Sequence, residues 1–324
     1  MGSLTSYLQA QFAERCPRGW RCRAEVPLAD TGVVRRLGFE PRADVLLEAD
    51  NGSTRIWIEF EVSRADPVAN HAKFATARFL APVGDAESFV SMASRHIAPG
   101  RFALAAGTVL MMRAMGIPAF QVDLLPQFDG ESVKRLNALQ LDELARARPF
   151  DAAAEVDRAL GAAESQRIDD QHRIHKADNA YTVRANAWQW NLEIADAKTA
   201  ALWGRRPVQY FVFDPVAGLF APSKFCAFVP APGRLREGLS RVTSPPRASI
   251  GMTMAVYASL GERDPRFDGH IARRHLRANV GYQEVALDEA DPGVQRAFAA
   301  WHAPLAALVP PRRPVRLLLP TRYA

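Results

Sequence analysis

The sequence predicts an α/β protein: a restriction-endonuclease-like mixed sheet flanked by helices, followed by a second, α+β domain. Three observations carry this prediction. Strand-like runs at 45–48 and 55–62 flank Asp50-Asn51-Gly52-Ser53, and Asn-Gly between alternating hydrophobics is the strongest short hairpin signal. Asp66-Pro67 then sets an N-cap residue before a proline at the first helical position, opening a helix to about Leu80. Beyond it, an apolar helix at 101–115 ended by Gly116 lies between strand-like runs at 88–92 and 117–124.

Taken in order, residues 4–15 have helical spacing at Leu4, Leu8 and Phe12. With the elements above, the first ~125 residues read α-β-β-α-β-α-β, the alternation of an α/β unit. Residues 131–164 are helix-prone and charged, interrupted near Pro149. The remainder mixes strand-like runs at 208–213, 225–229 and 315–319 with helical pieces around Arg273 and at 294–301, and Pro245-Pro246 and Pro310-Pro311 mark loops. The expected domains are 1–128, a helical connector at 129–168, and 169–324.

With 48% hydrophobic and 23% charged residues in 324, disorder, collagen-like sequence and a disulfide scaffold are excluded. No apolar run approaches the ~20 residues a bilayer-spanning helix needs. The opening Met1-Gly2-Ser3-Leu4-Thr5 lacks signal-peptide character. Cys16, Cys22 and Cys226 are too few and scattered for a disulfide framework or a zinc site. The expectation is a cytoplasmic protein without a membrane partner.

The net charge of +6 is unevenly distributed. Residues 1–170 hold 20 Lys and Arg against 23 Asp and Glu, a balance of −3, whereas residues 171–324 hold 21 against 12, a balance of +9. A basic half beside a near-neutral one suits polyanion binding. Only 5 of the 41 basic residues are lysine, a bias that reflects base composition as much as selection, so arginine counts alone carry little weight.

The chemistry concentrates in the hairpin. A two-residue Asn51-Gly52 turn pairs residues whose numbers sum to 103, setting Asp44 opposite Glu59 and Glu48 opposite Arg55. Strand period two places Glu61 beside Glu59, while Ile56, Ile58, Phe60 and Val62 face the other way. Like charges facing one another destabilise a sheet, and hard oxygen donors without Cys or His favour Mg²⁺ or Mn²⁺. The bland counterpart is a solvated strand face with alternating charges.

In this order of elements the chain resembles the PD-(D/E)xK nuclease superfamily over about residues 1–125. Ala43-Asp44 stands where that family has Pro-Asp, with Pro41 three residues earlier. Glu59-Phe60-Glu61 stands where it has (Asp/Glu)-x-Lys. Glu61 departs from the motif's lysine. Lys73, one turn into the next helix and on one face with Asn70, is a candidate for the displaced positive charge. The resemblance implies Asp44, Glu59, Glu61 and Lys73 as catalytic residues. It implies Asp44, Glu59 and Glu61 as ligands of Mg²⁺ or Mn²⁺, with the Phe60 carbonyl as an extra ligand. Hydrolysis of double-stranded DNA would leave 5′-phosphate ends. Glu14 on the first helix is a further candidate ligand, and His71 reads as a packing histidine.

In the basic half, Lys224, Arg273, Arg274 and Arg277 are candidate phosphate contacts and Trp188 and Trp190 candidate base-stacking side chains, although Phe and Trp are mostly core. His172-x-x-His175 and His270/His275 lack persuasive ligand partners. There is no P-loop, dinucleotide fingerprint or Gly-x-Ser-x-Gly elbow. The expected function is a metal-dependent DNA endonuclease of a restriction or modification-dependent defence system, with a homodimer left open. The alternatives are a catalytically inactive nuclease-fold DNA-binding protein and a non-nuclease module binding an anion or a protein.

Overall fold

Met1–Ser165 and Gln166–Ala324 form two units of the computed structural model, which describes residues 3–62, 67–82, 87–115, 117–164, 177, 179–197, 200–201, 207–227 and 269–321. The first unit runs α1 (Ser3–Glu14), β1 (Trp20–Pro27), α2 (Thr31–Leu37), β2 (Arg42–Ala49), β3 (Arg55–Glu61), α3 (Pro67–Leu80), β4 (Glu87–Ser94), α4 (Pro99–Ala114), β5 (Ala119–Leu124), α5 (Gly130–Ala138), α6 (Leu141–Ala147) and α7 (Ala152–Glu164). Its strands form one five-stranded mixed sheet in sequence order. The pairs β1–β2 and β2–β3 are antiparallel, and β3–β4 and β4–β5 are parallel.

Alternation along β3 decides what each face buries. Trp57 faces α3 and α4, joining Leu46, Phe74, Phe89, Val109 and Met112 in one apolar cluster. Phe60, of opposite parity, meets Phe12 of α1 edge-on at 4.9 Å between centroids. Helix α7 packs on β3, β4 and β5 beside α1.

Two elements, β1 and α2, go beyond the expected order, and both close the α1-to-β2 gap. β1 alternates Trp20, Cys22, Ala24 and Val26 with Arg21, Arg23 and Glu25. α2 is short but capped at both ends, as the Asp30 side chain accepts the Val33 N–H and Gly38 takes the left-handed conformation at φ +76°.

The expected connector folds into the first unit instead. Val133, Leu144, Val156, Ala159 and Ala163 are buried, so helices that read as charged and linker-like carry one apolar stripe each.

The second unit contains α8 (Ala180–Ile194), β6 (Val208–Asp214), β7 (Leu219–Pro222), the single turn α9 (Ser223–Cys226), α10 (Gly269–His275) running into a π-helical turn at Leu276–Val280, β8 (Tyr282–Ala286), α11 (Pro292–His302) and β9 (Pro311–Pro320). The sheet order is β7-β6-β9-β8, and β6–β9 is its parallel pair. Phe211, Phe220, Phe298, Trp190 and Trp301 form its aromatic core.

The strand expected at 225–229 is corrected. The chain turns helical at Ser223, and Cys226 and Ala227 are buried there. A short apolar run has no periodicity to separate a strand from one buried helical turn. Residues 228–229, His172, His175 and Pro245-Pro246 lie outside the described residues.

Candidate functional site

The β2–β3 register is the expected one, with Val45 opposite Ile58, Leu46 opposite Trp57 and Glu48 opposite Arg55. The turn is built differently. Ala49 N–H donates to the Thr54 carbonyl and Gly52 N–H to Ala49, so the loop has four residues, with Gly52 at φ +68° supplying the left-handed step. Pairing numbers still sum to 103.

The ladder ends at Val45–Ile58. One position further, the Asp44 carboxylate accepts the Phe60 backbone N–H at 2.7 Å, which fixes Asp44 beside Glu59. Glu59 is 4% exposed and shares a hydrogen bond with Asp44. Burial pushes the Asp44 carboxyl up to about 6, against the lowering pull of the Phe60 N–H. Burial, then the charges of Asp44 and Glu61, raise Glu59 well above the carboxylate range. Of the two, Glu59 is the more buried and the one driven towards its protonated form.

Glu61 is buried on the same face and accepts Asn70 Nδ2 at 2.9 Å. Lys73 Nζ donates to the other end of that amide at 2.9 Å. Lys73 is exposed, and its charge offsets part of the rise at Asp44 and Glu59. Asn70 thus links Glu61 to Lys73. Buried His71 bonds Thr108 at 2.6 Å and meets the Phe89 ring edge-on, so it packs. Glu14 is exposed and bonded to Gln11. From α1 it is Gln9 that reaches the acids, donating to Glu25 at 2.7 Å and to Asp44 at 3.4 Å.

Sequence reasoning missed Gln9, Glu25 and Ser91. The β1–β2 pairs Ala24–Val45 and Val26–Ala43 bracket Glu25 and Asp44, which therefore stand at neighbouring positions of the two strands. Glu59 pairs with Ser91, and Ser91 with Gln121. A polar row therefore crosses β3, β4 and β5, with Asp44 and Glu25 beside its β3 end. The missing signal was β1 itself, because without that strand Glu25 has no neighbour.

The turn-proximal end of the same face treats its acids differently. Glu48 bonds Arg55 at 2.8 Å, and that guanidinium holds its carboxyl below the usual range. Glu87 bonds Arg55, the buried Arg78 and Trp57 Nε1. Asp44 and Glu59 form no ion pair with arginine among the described residues.

Two adjacent carboxylates, hard donors without competing guanidinium, fit a Mg²⁺- or Mn²⁺-class cation in chemistry. So does Ser91 Oγ, fully buried beside Glu59 and without a hydrogen-bond partner. Among the described residues no three His, Cys, Asp or Glu side chains are grouped to hold a metal.

A pH signature follows. Both acids bind protons more tightly folded than unfolded, so their contribution to stability is present at low pH and lost as pH rises through their folded-state values, about 6 for Asp44. In chelator, the thermal midpoint of Glu59→Gln relative to wild type should rise between pH 5 and pH 8. A constant difference would exclude the raised pair.

In the second unit, Trp190 is buried against Trp301 and so packs, a correction to its reading as a base-stacking side chain. A ring enclosed on both sides has no face to offer. Trp188 is 61% exposed. Arg273 and Arg277 both bond Glu284, and Arg273 also lies over the Tyr210 ring. Arg274 is exposed, as are Arg312 and Arg313 at the start of β9, while Lys224 is half-buried on α9.

No helix of the described residues is long and apolar enough to cross a membrane. No protein-family model, curated protein or solved structure matches the chain.

Proposed function

We propose that the chain is a Mg²⁺- or Mn²⁺-dependent endodeoxyribonuclease of the PD-(D/E)xK kind, acting on double-stranded DNA in a cytoplasmic restriction or modification-dependent defence setting. The carrying observation is the unequal treatment of acids on one sheet face. Glu48 and Glu87 are matched by arginines, whereas buried Glu59 and half-buried Asp44 beside it have no arginine partner among the described residues. Structural acids are neutralised by the fold, and acids kept for a cation are not. The helix and strand order around them supports the finer fold assignment.

When bound, the cation supplies Lewis-acid polarisation of the phosphate and lowers the pKa of a coordinated water. The protein's part is positional. Phe60 N–H aims Asp44, and Asp44 and Glu59 would hold the cation through their carboxylate oxygens. Asn70 holds Glu61 to orient the attacking side, and through the same amide it brings Lys73 Nζ towards the phosphate charge. In the second unit, Arg274, Arg312, Arg313 and Lys224 supply phosphate contacts, and exposed Trp188 an apolar one.

Glu61 in the lysine position favours a second reading, a nuclease-fold protein that binds DNA without cutting it. Incubating full-length protein with modified and unmodified duplex DNA in Mg²⁺, Mn²⁺ or chelator separates the two. Cation-dependent cleavage to 5′-phosphate ends is expected. Binding without cleavage under any metal selects the second reading, and neither binding nor cleavage rejects both.

Binding by the full chain should weaken with salt at a log–log slope of about −0.9 per phosphate contact. In Arg274→Ala/Arg313→Ala the slope should flatten by about 2. An unchanged slope would move the contacts elsewhere.

A further inference from the structure

The face of the second sheet that carries Tyr210 gathers more positive charge than it neutralises. Arg316 of β9 pairs with Tyr210 of β6 on one side and with Ala286 of β8 on the other, and strand period two puts Glu284 on that face as well. From α10 and the π-helical turn that follows it, Arg273 and Arg277 reach the same point. Both guanidiniums bond Glu284 Oε2, and Arg316 Nε stands 3.9 Å from Oε1. Three arginines therefore share one carboxylate, and among the described residues none of them pairs with a second acid.

A pair built only for stability needs less. One guanidinium fork satisfies both oxygens of a carboxylate in a bidentate pair. Here Arg273 spends only Nε on Glu284 and Arg277 only Nη1, while Arg316 stands too far for a hydrogen bond. Their remaining N–H groups have no protein partner among the described residues. Side-chain exposure climbs from 12% at Glu284 through 29% at Arg273 to 49% at Arg277, so the cluster opens to solvent away from the carboxylate.

Tyr210 fixes the array. The Arg273 guanidinium lies 5.3 Å from its ring centroid, and its hydroxyl bonds Nδ1 of exposed His270 at 3.2 Å. An independent mark is the π-helical turn Leu276–Val280 that carries Arg277, because such turns are rare and occur mostly at functional sites.

Three guanidiniums and one carboxylate leave a formal charge of +2. A backbone phosphodiester brings a single negative charge, whereas a phosphomonoester brings about −1.5 to −2 at pH 7. We propose that Arg273, Arg277 and Arg316 form a binding site for a dianionic phosphate group, free or at the end of a chain, with Glu284 as the counter-anion that sets the spacing of the guanidiniums. The site needs no cation and stands whether or not the first unit cuts DNA.

Inorganic phosphate titrated into the full-length protein in chelator, and followed by its phosphorus magnetic resonance linewidth, tests it. Arg277→Ala and Arg316→Ala should each weaken binding about tenfold. Arg273→Lys keeps the charge but loses the fork, and should weaken it about fivefold. Glu284→Gln still accepts a guanidinium N–H and removes a like charge, so it should tighten binding about threefold. Arg296→Ala is the control. Arg296 is exposed on α11, whose Phe298 packs on Phe211 on the sheet face opposite Tyr210, and its loss should change affinity by less than about twofold. A second arm compares 5′-phosphorylated with 5′-hydroxyl duplex DNA. Preference for the phosphorylated duplex, lost in Arg277→Ala, identifies the ligand as a chain end; equal binding of the two duplexes, with inorganic phosphate bound, identifies it as free phosphate. No binding of inorganic phosphate by wild type overturns the site, as does wild-type affinity in folded Arg277→Ala and Arg316→Ala. A loss in Arg296→Ala as large as theirs also overturns it, because net charge would then be the cause.

Discussion

Asp44→Asn and Glu59→Gln should each lower cation-dependent cleavage by at least about a hundredfold while leaving the metal-free protein more stable at pH 8 than wild type. On the proposed reading, the loss follows from deleting a ligand of the cation that would stabilise charge on the phosphate, where single electrostatic contacts are worth about 10²–10³ in rate. The gain follows from burial. At pH 8 both carboxyls are held in a site that raises their affinity for protons, and each unit of such a shift is about 1.4 kcal/mol. Asparagine still accepts the Phe60 N–H, and glutamine still donates to Asp44. A stabilisation on the order of 2 kcal/mol is expected for Asp44→Asn, and one in the same direction for Glu59→Gln. Chemical denaturation at pH 8 in chelator, paired with a plasmid-cleavage time course, reads both effects. Cleavage retained in purified Asp44→Asn ends the nuclease assignment, and destabilisation at pH 8 would mean the pair is structural.

Arg78→Met should do the opposite, destabilising the fold by about 3 kcal/mol without acting on the cation site directly. Arg78 is 5% exposed. Its guanidinium donates to the Leu28 carbonyl and to Glu87, both at 2.9 Å, and lies 5.0 Å from the centroids of Trp57 and Phe74. Methionine fills the stem's volume but leaves Glu87 short of its buried partner, and breaking a buried pair from one side typically costs 3–5 kcal/mol. Arg55 and Trp57 Nε1 still contact Glu87, which keeps the cost near the low end. Urea unfolding at pH 7 measures it, and a change under 1 kcal/mol would show that those two contacts suffice.

The hairpin was legible because turn chemistry and strand period are local. Asn51-Gly52 and the alternation of residues 55–61 fixed which acids share a face, even though the loop closes over four residues rather than two. Glu25 and Gln9 were not legible, since their roles exist only once β1 pairs with β2 and α1 lies across the edge. The caps of α2, Asp30 and Gly38, were present in the sequence but enclosed only seven residues, too few for periodicity to register. Trp190 and Trp188 differ by two positions and by nearly half a helical turn, so one is core and the other surface. That distinction needed the partner sheet.

The Glu48–Arg55 pair also acts as a ruler. Registers that keep Ile56, Ile58 and Phe60 on their own face differ from the present one by two residues, because a one-residue slip would turn every side chain over. A sum of 105 would bring Asp44 opposite Glu61 and leave Glu48 facing Trp57; a sum of 101 would set Asp44 against Trp57. Only the observed alignment matches a charge pair at the loop end with an acid pair four positions away. A lineage that replaced Arg55 would therefore loosen the alignment of Asp44 with Glu59 without touching either residue, and drift at that arginine should be tolerated only with a compensating change at Glu48.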